Sequence, residues 1–117
     1  MPRRDWRLYI DDILESVARV ESYTRGLEME DLAGDDLRLD AVLHNLAIIG
    51  EAAAQTPADV QQRLPEVPWA KMRGLRNFIV HGYHQVRITV IWETIRHDLP
   101  VIVPPLRAAL DAKEDDA

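Results

Sequence analysis

Residues 5–23 read DWRLYIDDILESVARVESY. Apolar side chains fall at Trp6, Tyr9, Ile10, Ile13, Leu14, Val17 and Val20, in steps of three and one. With roughly 3.6 residues per turn, such steps place them on one side of a helix. Asp11, Asp12, Glu15 and Arg19 take the other side. Asp5 is placed to cap the N-terminus, and Gly26 to stop the helix. This stretch therefore predicts an amphipathic helix that must bury its stripe against a partner.

The partner lies downstream. A polar connection over 28–36, with room for a short helical turn, leads to a second helix over 36–54. Its stripe is Leu39, Val42, Leu43, Leu46, Ile49 and Ala53, and Ala47 and Ile48 widen it, so two faces should be buried. Thr56-Pro57 reads as a cap followed by proline at the first helical position, opening a short helix that Pro65 ends. Pro68 begins a helix expected over 69–81, with Gly82 just past its end. A last helical stretch starts near Val86. There Pro100 and the pair Pro104-Pro105 predict a kink or break. No strand alternation or internal repeat is present. The expected fold is all-α, an antiparallel bundle of four to five helices. It forms one domain over 1–112, followed by a charged, frayed tail over 113–117.

Composition limits the function. The chain has 117 residues and no cysteine, which removes disulfides, thiolate zinc sites and cysteine nucleophiles. No apolar run is long enough to span a membrane, and the N-terminus lacks an apolar signal core, so a cytoplasmic protein is expected. The formal net charge of −6 argues against a general nucleic-acid binder. Yet the charge is uneven: residues 63–97 hold 6 basic and 2 acidic side chains, whereas residues 1–62 hold 6 basic and 13 acidic. Chance clustering on a solvated face is the plain account of that island.

The island contains Arg73, Arg76, Asn77, His81, Tyr83 and His84. On a helix, Asn77 and His81 share a face, so the amide can orient the imidazole, and Arg73 lies one turn earlier. Arg76 sits about 140° from His81 on an ideal helix. The two can meet at one phosphate only if the helix ends near His81, which Gly82 permits. Imidazole moves protons near neutral pH, and guanidinium stabilises charge on phosphate oxygens. RNA carries its own nucleophile, the 2′-hydroxyl, so no metal is required. In-line cleavage needs both a base and an acid, which one His81 cannot supply but a homodimer could. From spacing alone, a capping or packing role for these residues is the commoner outcome. His81, His84 and His97 are also weighed as a metal site, but no acidic ligand accompanies them at fixed spacing. Asn45 and Glu51, on an otherwise apolar helix, suit either buried interface polar groups or partners of the motif. Trp6, Trp69 and Trp92 read as core or interface anchors.

The stretch Arg76-Asn77-x-x-x-His81-x-Tyr83 resembles the R-x-x-x-x-H-x-Y motif of the HepT-like branch of the HEPN superfamily. The likeness extends to Arg4-Asp5-Trp6, Asp11-Asp12-Ile13-Leu14, Asp40-Ala41-Val42, Asn45-Leu46 and Ile49-Gly50-Glu51-Ala52-Ala53. It continues through Pro68-Trp69, Gly74-Leu75, Ile91-Trp92-Glu93 and Asp98-Leu99-Pro100, so it covers about residues 4–100. Val103-Pro104-Pro105 departs from the pattern. The resemblance implies a HEPN bundle, dimeric about a shared cleft, acting as a metal-independent endoribonuclease toxin without a cofactor. It implies Arg76 and His81 as catalytic, Asn77 as supporting, and Tyr83 as the AMP acceptor of a cognate MntA-type nucleotidyltransferase antitoxin. Arg73 and Arg87 are candidate RNA-phosphate contacts. The alternative is a non-catalytic module that binds the nucleotidyltransferase, nucleotide or RNA without cleavage.

Overall fold

The computed structural model describes residues 4–77 and 87–112, and all of its regular structure there is helical. Helix α1 spans Trp6–Thr24, α2 Met29–Ala33, α3 Asp36–Gln55, α4 Ala58–Arg63 and α5 Trp69–Arg73. A 3₁₀ turn, Gly74–Arg76, comes directly after α5. Beyond the undescribed segment come α6, Ile88–Glu93, a π-helical turn, Thr94–Asp98, and α7, Leu99–Asp111. The all-α bundle expected from the periodicity is the observed fold. The expected tail over 113–117 lies outside the described residues.

The stripe of α1 is buried as its spacing demands, with Ile10, Ile13 and Val20 wholly inaccessible. It packs along α3, whose Val42, Leu43, Leu46, Ile49 and Ala53 form the centre of the core. Burying each of the valine, leucine and isoleucine side chains stabilises the fold by about 1.5–3 kcal/mol. Helix α7 closes the core with Leu99, Ile102 and Leu106. Trp69 is buried, and its indole N–H donates to the Leu64 carbonyl at 3.0 Å, an anchor as expected. Trp6 and Trp92 are half-buried and each lies under arginine: Arg7 and Arg63 over Trp6, Arg96 over Trp92.

The ends obey local chemistry. Asp5 caps α1 by accepting the Arg7 N–H at 3.0 Å, and Gly26 adopts φ 76°, the left-handed turn that stops the chain. Arg96 reaches across from the π turn and donates to the Thr24 and Leu27 carbonyls at 2.9 and 3.1 Å. It thus adds a second donor to the Thr24 carbonyl, which also accepts the Leu27 N–H at 3.1 Å, and supplies one to the Leu27 carbonyl in the connection after α1. Asp35 caps α3. Its carboxyl is held below the ordinary range by the Arg38 backbone N–H, then by the Arg38 side chain.

Three boundaries differ from expectation. Thr56 does not cap α4: its hydroxyl donates back to the Ala52 carbonyl at 2.9 Å, and Pro57 precedes the first helical residue. The helix expected to run on from Trp69 tightens into the 3₁₀ turn after Arg73. The prolines do not break the last helix, since α7 continues through Pro104 and Pro105. The irregularity sits earlier, where the Leu99 N–H bonds to the Thr94 carbonyl five residues back. The wider π turn relieves the crowding that a proline ring at position 100 would impose on the carbonyl four residues before it.

Candidate functional site

Arg76 ends the 3₁₀ turn, and this turn is seated on α3 through a glycine. An added Cβ at Gly50 would lie 2.5 Å from the Arg76 backbone N, 3.0 Å from the Met72 carbonyl O and 3.2 Å from the Arg76 Cβ. No larger residue fits without moving the turn. Glycine in a helix interior costs about 1 kcal/mol relative to alanine. That cost was the signal available in the sequence: a glycine inside an apolar helix marks a close backbone approach. Residues 73–84 taken alone give no sign of it.

The next residue, Glu51, meets Arg76 directly. Its Oε2 accepts from an Arg76 guanidinium nitrogen at 3.4 Å, while its Oε1 accepts from the Gln55 amide at 3.2 Å. Both partners are open to solvent, the Arg76 side chain 47% exposed. An ion pair this exposed contributes about 0–1 kcal/mol, so an incoming phosphate can replace the carboxylate. Glu51 is thus exposed in this chain and in contact with Arg76.

The other candidates divide. Arg73, half-buried, donates to the Gln61 side-chain oxygen at 3.2 Å, and Gln61 in turn donates to the Thr56 carbonyl at 2.9 Å. Arg73 and Arg76 therefore engage different partners, on α4 and α3 respectively. Asn77 is exposed immediately after the turn. Arg87 is exposed and precedes α6. Asn45 is buried; its amide donates to the Ala41 carbonyl at 2.9 Å, and its Oδ1 has no partner among the described residues. His81, Tyr83 and His84 lie outside the described residues, so the Arg76–His81 juxtaposition is not among the observed geometry. His97 is exposed and faces Glu93 at 3.5 Å. Among the described residues no group of three or more His, Cys, Asp or Glu side chains forms a metal-ligand cluster. No helix among them is long and apolar enough to cross a membrane.

A helical bundle with an exposed arginine at a tight turn, on a basic stretch of an acidic chain, places the protein among all-α domains. Comparison with known proteins narrows the class. The family model described as "Ribonuclease HepT-like" matches residues 13–109. A protein of Thermococcus cleftensis named "Probable ribonuclease HepT" is 36% identical over 98 residues, covering 84% of this chain and 89% of that one. A Methanocaldococcus jannaschii protein named "Putative RNase MJ1380" is 33% identical over 102 residues, covering 87% and 94%. One from Caldanaerobacter subterraneus, "Putative RNase TTE0752", is 29% identical over 108 residues, covering 92% and 96%. No solved structure matches. The chain belongs to the HepT-like ribonuclease family.

Proposed function

We propose that this ribonuclease is a metal-independent endoribonuclease toxin of a prokaryotic toxin–antitoxin pair, cutting RNA at a cleft between two copies of the chain. The supporting observation is the placement of Arg76. Its backbone is braced on α3 at Gly50, its guanidinium is in solvent, and a replaceable carboxylate holds it. A catalytic arginine needs that combination of fixed origin and free head.

In this scheme Arg76 binds a non-bridging oxygen of the scissile phosphate, displacing Glu51. One His81 imidazole takes the 2′-hydroxyl proton, and the 2′-oxygen attacks phosphorus. The 5′-oxygen of the next nucleotide departs with a proton from His81 of the second copy. The products are a 2′,3′-cyclic phosphate and a 5′-hydroxyl end. Asn77 orients the imidazole. Arg73 and Arg87 add positive charge for flanking phosphates, and the requirement for two imidazoles is the chemical reason for a dimer. A nucleotidyltransferase antitoxin of the MntA type silences the site by transferring AMP from ATP to the Tyr83 hydroxyl, with release of pyrophosphate. The adduct places a bulky anion two residues from His81, where it repels RNA. Both reactions belong to the cytoplasm, where RNA and ATP meet.

The test is His81→Ala in purified protein, assayed on RNA with and without EDTA. The wild type is expected to cleave in both conditions, and the variant in neither while keeping its helical circular dichroism. Full cleavage by His81→Ala would rule the assignment out.

A further inference from the structure

Helices α1 and α3 flank a hollow of about 330 Å³ beside the Arg76 environment, lined by Arg4, Tyr9, Asp12, Ile48, Glu51 and Gln55. Glu51 is common to both: it walls the hollow and holds the Arg76 guanidinium. A hollow of similar size beside Tyr23 shares no residue with that environment. Ile48 and Ala52 give the hollow apolar lining, and the Tyr9 ring lines it too, with the Arg4 guanidinium 4.8 Å from its centroid. Arg4 is tethered by Asp12 at 2.9 Å, with both side chains about two-fifths exposed. Such a pair opens easily. The remaining rim is acceptor-rich, from the Asp12 and Glu51 carboxylates and the Gln55 amide.

An aromatic face beneath a movable guanidinium is a stacking platform for a flat heterocycle. Two carboxylates at its edge repel a phosphate but accept from an exocyclic amino group. We infer that this hollow is a nucleobase subsite flanking the scissile phosphate, and that it takes a base bearing an exocyclic amino group. The inference rests on the ribonuclease reading, since Arg76 supplies the phosphate contact from which the base reaches the hollow. Tyr9 stacks the base, Arg4 swings to cover it, and Asp12 accepts its amino protons. Uracil has no amino group to offer, so the subsite discriminates against it.

The test uses short, uncleavable 2′-O-methyl oligomers of A, C or U, with affinity read by fluorescence anisotropy. The wild type is expected to bind oligo-A and oligo-C roughly ten-fold more tightly than oligo-U, the value of one hydrogen bond to a charged acceptor. Asp12→Asn removes the carboxylate from a half-buried position and is expected to bring the three affinities together. Tyr9→Leu keeps the apolar contact but loses the ring, and should weaken oligo-A and oligo-C by about ten-fold. Tyr9→Phe should recover affinity relative to Leu. Equal binding of oligo-A and oligo-U by the wild type, with Arg76→Ala abolishing both, overturns the subsite while leaving the ribonuclease reading standing. Undiminished binding and cleavage by Arg76→Ala overturns the reading itself. If Tyr9→Leu fails to fold, Asp12→Asn and the wild-type base preference still decide the question.

Discussion

Replacing Gly50 with alanine adds a single carbon to the tightest approach between α3 and the Arg76 turn. The added Cβ would lie 2.5 Å from the Arg76 backbone N, too short for any real contact, and ordinary van der Waals separation begins at 3.4 Å. The turn must therefore retreat from α3 by roughly 1 Å, because the obstacle is backbone rather than the flexible end of a side chain. Overpacking of this kind costs about 1–3 kcal/mol, with the upper part of the range apt for a backbone clash. Alanine returns about 1 kcal/mol through helix propensity, leaving a net loss of about 2 kcal/mol. On the proposed assignment of Arg76 as catalytic, the larger effect is on chemistry: a 1 Å misplacement of such a group lowers rate by about 10²-fold. Urea denaturation reads the first quantity, and single-turnover RNA cleavage reads the second. Gly74→Ala is the control. That glycine lies in the same stretch with φ −66°, and a Cβ there meets nothing within 4 Å. It should stabilise the protein by about 0.4–1 kcal/mol and leave the turn in place. A Gly50→Ala protein with wild-type midpoint and wild-type cleavage would show that the turn does not depend on the close approach.

Other perturbations probe the same geometry. Glu51→Gln removes the competing carboxylate charge from Arg76 and is expected to lower the KM for RNA severalfold at low salt, measured by initial rates; a raised KM would mean that Glu51 positions the arginine rather than occupying it. Arg96→Ala removes the charged donor to both carbonyls, leaving Thr24 only the Leu27 N–H, and should cost about 2 kcal/mol, read as a lower urea midpoint. Asp35 is held ionised below its reference pKa of 3.8 by the Arg38 N–H, so its capping contribution is complete above that value and fades as pH falls through the lower folded-state value. Asp35→Asn keeps a capping oxygen but no titration, so stability should fall less steeply below pH 3.8 than in the wild type, tracked by acid unfolding.

Much of the fold was legible in the chain because it depends on local periodicity. The steps of three and one from Trp6 to Val20 dictate a helix with one apolar face, and the broader stripe from Leu39 to Ala53 dictates a helix buried on two. Asp5 and Gly26 mark ends because capping and left-handed φ are properties of single residues. The prolines misled for the same reason. Proline at 100, 104 and 105 is unfavourable judged locally, but a π turn just before Pro100 and a fully buried Leu106 beyond the pair hold α7 together. Thr56 misled because its hydroxyl can serve either helix, and it bonds to α3.

From the chain alone come the helical class, the basic island within an acidic whole, and the order Arg76, Asn77, His81, Tyr83 along it. Folding was needed to reveal Gly50 as the seat of the Arg76 turn, Glu51 as its counter-ion, and Tyr9 and Asp12 as neighbours of that carboxylate. Glu51 is 25 residues from Arg76 along the chain, and the others are further still. Their meeting is set by how closely α3 can approach the turn and α1, which is a matter of packed volumes rather than of neighbouring residues.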